Sequence, residues 1–161
     1  MYWIKRKIRQ IKKVWRYLPV IWKSYDFDHS YATDLFVMKL EDLASFLESD
    51  RAFTVEAKKH AAEIRETVAL YKKVQEDDYF VNNKKALIEE FGQELDIIFD
   101  KLEGVDLYEL TYDFPESWSS GKRENYRQRV AQLARKSFDE QEADRKEFWR
   151  NISDKIEGWW D

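Results

Sequence analysis

The chain has 161 residues, 43% of them apolar and 37% charged, with four Gly, two Pro and no Cys. That length suits one core and is short for two independent domains, and the composition is that of a helical protein with solvated, charge-laced faces. Without cysteine there is no disulfide, thiolate zinc site or cysteine nucleophile, and with His29 and His60 as the two histidines no resident metal or cofactor is expected.

A formal net charge of −4 conceals an asymmetry: residues 1–25 carry eight Lys or Arg and no acid, which leaves 20 basic against 32 acidic residues in the rest, a body of −12. The run "YLPVI" with Trp22 is too short for the apolar core of a signal peptide, and no small-residue cleavage site follows. No stretch approaches the roughly 20 apolar residues of a membrane span. A soluble intracellular protein is expected.

In chain order, Ile4, Ile8, Ile11, Trp15 and Leu18 recur at steps of four and three, which predicts a basic amphipathic helix over 1–18. Pro19 should end it at Leu18. The favoured arrangement docks this helix on its own acidic body, with Ile4, Ile8, Ile11 and Trp15 as core; the alternative is a nucleic acid or an anionic membrane as partner. A second helix is expected over 29–49, with Leu35, Met38, Leu43, Phe46 and Leu47 as its apolar face and Asp26 or Asp28 as its N-cap. Thr54 should cap a third, where Ala57, Ala61, Ile64, Val68 and Tyr71 keep heptad spacing.

Leu87, Phe91, Leu95, Ile98 and Leu102 predict a fourth helix ending at Gly104, a position suited to positive φ. The period then changes. Tyr108, Leu110, Tyr112 and Phe114 alternate with Glu109, Thr111 and Asp113, which predicts a strand with one face covered, stopped by Pro115. An isolated strand has open edges, so it should pair with a segment elsewhere or with its copy in a dimer. The closing helix has Tyr126, Val130, Leu133, Phe138, Phe148, Ile152 and Ile156 as its apolar track, but its middle, "DEQEADR", is too polar for a continuous core face. Either one long helix leaves its middle solvated or two helices bend near Asp139. The expected fold is mainly α: a single-domain bundle of about five to six helices with one short strand or extended segment near 106–114. Its parts are a basic helix over 1–18, a helical core over 26–104, an extended segment and loop over 105–121, and a long or bent helix over 122–158.

Several residue groups carry chemistry. Asp26, Asp28 and His29 have the composition of an acid/base or metal-ligand cluster, although acids at a helix N-terminus with Trp22, Tyr25, Phe27 and Tyr31 packed around them is the simpler reading. Glu56 and His60 stand one turn apart, a spacing that fits a side-chain pair more readily than a metal site. In "LIEEFGQEL", Glu89, Glu90 and Glu94 resemble the carboxylate helix of the all-α nucleoside triphosphate pyrophosphohydrolases, which hold Mg²⁺ between facing helices. The resemblance covers about nine residues, lacks that family's second acidic motif, and is matched by a solvated glutamate face.

The segment "WSSGKRENYR" places Ser119, Ser120 and Gly121 before a helix and Lys122, Arg123 and Arg127 in its first turns, the reverse of the usual acidic preference there. Free amides, a positive helix end and three cations make an anion site, with Trp118, Tyr112 and Tyr126 near enough in sequence to stack a base. A flexible polar connector accounts for the same residues equally well. No catalytic or metal-ligating residue is assigned. At the close, "GWWD" has two adjacent tryptophans that cannot face the same way, so at least one should cover another element or a partner chain, burial within the fold being the simpler reading.

Taken together, "LPVIWKSYDFDHSYATDLFVMKLEDL" and "FWRNISDKIEGWWD" resemble a group of small proteins of tailed bacteriophages, on Asp26, Phe27, Asp28, Lys39, Leu40, Trp159, Trp160 and Asp161. Phe27 stands where related proteins tend to have Trp. The shared motifs are structural and bring no activity with them. The resemblance implies viral origin and action in the host cytoplasm. It suggests a non-enzymatic binding protein that sequesters a nucleotide-derived immune signal or masks a host protein; the pyrophosphohydrolase-like enzyme and a nucleic-acid binder acting through the first helix are the remaining alternatives.

Overall fold

The computed structural model describes residues 2–23, 29–102, 104 and 106–160, without the side chains of Tyr2 and His29. Among these residues the protein is mainly helical: α1 (Tyr2–Lys23), α2 (His29–Leu47), α3 (Ala57–Glu76), α4 (Tyr79–Phe91), β1 (Ile97–Lys101), β2 (Tyr108–Tyr112) and α5 (Ser120–Lys155). No helix among them is long and apolar enough to cross a membrane. They fall into two compact units, Met1–Lys72 with Glu147–Asp161, and Lys73–Lys146.

In the first unit the heptad stripe of α3 is buried as its spacing predicts: Ala57, Ala61, Ile64, Val68 and Tyr71 share one core with Val37, Leu40, Ala44 and Leu47 of α2, Phe148 and Ile152 of α5, and Trp159. The α2 stripe is rotated from the expected one. Leu47 belongs to it and Leu43 packs at its margin, but Phe46 is exposed. The small Ala44 shares this core with Ala57 and Ala61. Polar clamps close the rim: the Arg65 guanidinium donates to both carboxylate oxygens of Glu48 at 3.1 and 2.9 Å, and Lys72 to Glu41 at 2.7 Å. The two closing tryptophans do face apart. Trp159 is buried and its indole N–H donates to Glu63 at 3.2 Å, whereas Trp160 is exposed.

Two expectations for α1 are corrected. The helix continues through Pro19 to Lys23. Pro19 removes the amide that would bond the Trp15 carbonyl, but Trp15 lies on an exposed turn, where a carbonyl left without an amide costs little, so helical geometry survives. Nor is the apolar stripe core: Ile4, Ile8, Ile11 and Trp15 are all exposed. α1 meets α2 through its other side. Arg16 pairs with Asp42 and, at 3.8 Å, with Glu41, and the Tyr17 hydroxyl donates to Asp42 at 2.7 Å. Burial first, then the Asp42 acceptor, push the Tyr17 pKa up to about 12. The expected Asp26 and Asp28 caps fall in residues 24–28, outside the described residues, and Trp22, drawn into the same expected clamp, is 84% exposed.

In the second unit, α4 stops at Phe91, not near Gly104. Gly92 adopts φ +82° and its amide donates to the Ile88 carbonyl at 2.8 Å, a left-handed C-terminal stop. Ile97, Ile98 and Phe99, β-branched or aromatic, then form β1, which pairs antiparallel with β2 in the register Ile97↔Tyr112, Phe99↔Leu110 and Lys101↔Tyr108. The strand predicted at 108–114 thus finds its partner within the chain. Gly104 does take positive φ, at +81°, but in the hairpin connection. Only the far end of β2 is covered: Tyr112 and Phe114 pack on the core, while Tyr108 and Leu110 are exposed.

α5 is one continuous helix of 36 residues. The polar middle that argued for a bend carries specific partners. Ser137 is buried and accepts from Asn83 at 3.0 Å, Gln141 donates to Asp77 at 2.7 Å, and Asp144 accepts from both Lys73 at 2.5 Å and Tyr79 at 2.7 Å. Positions 137, 141 and 144 continue the stripe of Tyr126, Val130 and Leu133 in polar form, so Phe138, expected on the track, points outward.

Burial pushes the Asp144 carboxyl up, but the bonds from Lys73 and Tyr79 outweigh it and hold the group below the usual carboxylate range. Its folded value therefore lies under its unfolded one. The stability it contributes is present above about pH 4 and is lost as pH falls through the folded value. Asp144→Asn should cost about 1 kcal/mol near neutrality, the difference between a charged and a neutral acceptor, and the gap should close in acid. Urea unfolding of both proteins at about pH 7 and about pH 3 measures this.

Candidate functional site

The second unit is built around an aromatic cluster. Phe91 meets Tyr126 edge-on with centroids 5.1 Å apart and Trp118 at 5.7 Å; Phe114 lies 6.0 Å from Trp118 and 5.9 Å from Tyr126; Tyr112 lies 5.4 Å from Tyr126. A turn that closes with the Trp118 amide donating to the Pro115 carbonyl at 3.0 Å brings the indole back beside Phe114. Tyr126 is 1% exposed, and burial pushes its hydroxyl pKa up, offset in part by the Leu95 backbone.

The three cations expected at the start of α5 converge on this cluster. The Lys122 amine sits 4.1 Å from the centroid of Trp118, and the Arg123 and Arg127 guanidinium carbons lie 5.8 and 5.1 Å from the centroid of Phe114. Such contacts fix the direction of each charge at little cost in hydration. Phe114, read from sequence only as a strand residue, is thus the shared platform; the Phe-Pro-x-x-Trp spacing was the available signal.

The cations differ in what else holds them. Arg123 donates to the Trp118 carbonyl at 3.1 Å and the Pro115 carbonyl at 3.2 Å, so it closes the loop before α5. Lys122 and Arg127 are exposed, and the nearest acid to Arg127 is Glu124 at 3.8 Å. Ser119 caps the helix, accepting from the Lys122 amide at 3.3 Å. The Ser120 and Gly121 amides precede the first intrahelical bond, and a Cβ placed on Gly121 would meet open space.

The sequence reading is revised at the rings. Trp118 and Tyr126 are buried and Tyr112 is half-buried. The outer face of Trp118 is taken by Lys122. These rings form a floor rather than a stacking surface for a base. An open hollow of about 250 Å³ nearby is lined by Glu94, Asp96 and Asp113 together with Gln93, Leu95 and Pro115, and its acids disfavour an anion there. A second, of about 260 Å³, lies between Tyr79, Phe80, Ala134 and Phe138 and is mainly apolar.

Glu90, Glu94, Glu56 and His60 are paired within the fold. Glu90 accepts from Arg129 at 2.8 Å, and Glu94 lies beyond the end of α4, where it pairs with Lys84, so Glu89, Glu90 and Glu94 do not share one helix face. His60 lies 3.7 Å from Glu56 and 3.5 Å from Glu63, and Glu56 is bonded by Lys59 at 2.9 Å. Among the described residues no group of three or more His, Asp or Glu is placed to hold a metal ion. Asp26 and Asp28 lie outside the described residues, as does the side chain of His29. In comparisons with known proteins, no family model, no curated protein and no solved structure matches the chain.

Proposed function

We propose that the chain is a non-enzymatic binding protein that captures a phosphate-bearing ligand where α5 begins. The observation that carries this reading is the gathering of Lys122, Arg123 and Arg127 around Phe114 and Trp118, beside the open amides of Ser120 and Gly121. Arg123 shapes the loop, Lys122 and Arg127 supply exposed charge steadied on the rings, and the helix end supplies oriented donors; together they suit a phosphate group. With Trp118 and Tyr126 committed to the core, the phosphate rather than the base is the recognised part. The resemblance to tailed-bacteriophage proteins supports the biological half of the proposal: sequestration of a nucleotide-derived immune signal in the host cytoplasm.

Thermal unfolding with cyclic dinucleotides and with ADP-ribose tests the reading. A bound nucleotide at a hundred times its Kd stabilises by about 2.7 kcal/mol, which raises the melting point by several degrees. Lys122→Glu combined with Arg127→Glu should abolish that rise and lower the unliganded melting point by only a few degrees, the scale of two exposed cation–π contacts. No rise with any nucleotide, together with a tight host-protein partner in a pull-down, would replace this reading by the masking role.

A further inference from the structure

We infer that α1 is a membrane-surface helix, docking its apolar face on an anionic bilayer without crossing it. At 100° per residue, Ile4, Ile8, Ile11, Trp15, Leu18 and Trp22 fall within an arc of roughly 80°. All six are exposed, Trp15 by 68% and Trp22 by 84%. Lys5, Arg9 and Lys12 line the adjoining flank, Arg6 and Lys13 the back, and no acid occurs in the helix.

The attachment to α2 decides the orientation. Arg16 and Tyr17, which hold Asp42, point away from the apolar arc, roughly 120° and 140° to either side of its centre. A helix recruited into a core turns its main apolar side to its neighbour; α1 meets α2 through Arg16 and Tyr17 and leaves the Ile and Trp arc in solvent. The 22 residues form an amphipathic helix of mean hydropathy too low to span, edged by cations and carrying tryptophans, which is the composition of an interfacial helix.

Charge complementarity selects the occupant. The cations without a single acid favour a negative surface, and a bilayer of anionic lipid offers that charge directly beside a layer that accepts Ile and Trp. A nucleic acid would satisfy the cations but leave Ile4, Ile8 and Ile11 in water. This surface shares no residue with the start of α5, and its test does not depend on that site.

The test is sedimentation of the full-length chain with vesicles of phosphatidylcholine alone and of equimolar phosphatidylcholine and phosphatidylglycerol. Binding should occur to the anionic vesicles and weaken at least about tenfold without the anionic lipid. Ile8→Ser with Trp15→Ser, and separately Lys5→Glu with Lys12→Glu, should each weaken it by about tenfold or more, while the melting point in the absence of vesicles stays within about a degree, since all four side chains are exposed. Failure of the unaltered chain to sediment with anionic vesicles would overturn the inference. So would vesicle binding untouched by Ile8→Ser with Trp15→Ser, or a large loss of melting point in that variant. A salt-sensitive complex with single- or double-stranded nucleic acid that displaces the chain from vesicles and survives the same variant would assign the helix to nucleic acid instead.

Discussion

Phe148→Ala should lower the unfolding free energy by about 3–5 kcal/mol, and Phe138→Ala by no more than about 0.5 kcal/mol. Both rings lie on α5 and both are placed by sequence on one apolar track. Phe148 is 2% exposed, tilted against Tyr71 with centroids 5.2 Å apart in the first core, whereas Phe138 is 63% exposed. Ten positions apart, they are separated by about 80° around the helix. Emptying the Phe148 site removes an aromatic side chain and leaves a cavity among Ile64, Val68 and Ile152 that the surrounding helices cannot close. Equilibrium urea unfolding of the two variants should therefore separate sharply.

Tyr126→Ala should cost about as much, about 3–5 kcal/mol, and should do so without any ligand present. Its ring is in contact with Phe91, Tyr112, Phe114 and Trp118, so its loss opens the centre of the second unit. Tyr126→Phe keeps the packing and should cost about 1 kcal/mol, the scale of one hydrogen bond. A Tyr126→Ala variant of unchanged stability that lost only ligand binding would return the ring to the stacking role that its sequence position suggested. The opposite pattern, a large loss of stability with anion binding retained in whatever remains folded, is the expected one.

How much of this was legible depended on whether the deciding signal was local. The α3 heptad could be read because five small or apolar positions of one helix needed only a neighbour, and all five are buried. The β2 segment was legible from its two-residue period, but β1 was not: Ile98 and Leu102 also fit a helical stripe begun at Leu87. Gly92 and the run Ile97, Ile98 and Phe99 were the stronger signals, since a glycine with positive φ stops a helix and such a run favours extended backbone. The polar middle of α5 could not be read as an inward face, because whether Gln141 and Asp144 find partners depends on Asp77, Lys73 and Tyr79, which lie more than sixty residues away. At the start of α5 the cations were legible by type and spacing. That Arg123 is bound to two carbonyls while Lys122 and Arg127 stay open was not, because the Pro115–Trp118 turn decides it. The stripe of α1 was read correctly as a stripe and wrongly as core. Amphipathicity fixes which residues share a face, but the partner of that face is a tertiary matter.

The site at the start of α5 has one direct test, a residue-resolved amide titration of the full-length protein with pyrophosphate. The account predicts saturating shifts concentrated at Ser119, Ser120, Gly121, Lys122 and Arg123, and their disappearance in the Lys122→Glu, Arg127→Glu protein. Shifts confined to the cationic face of α1, or small linear shifts spread over every basic surface with none at Ser120 and Gly121, would contradict it.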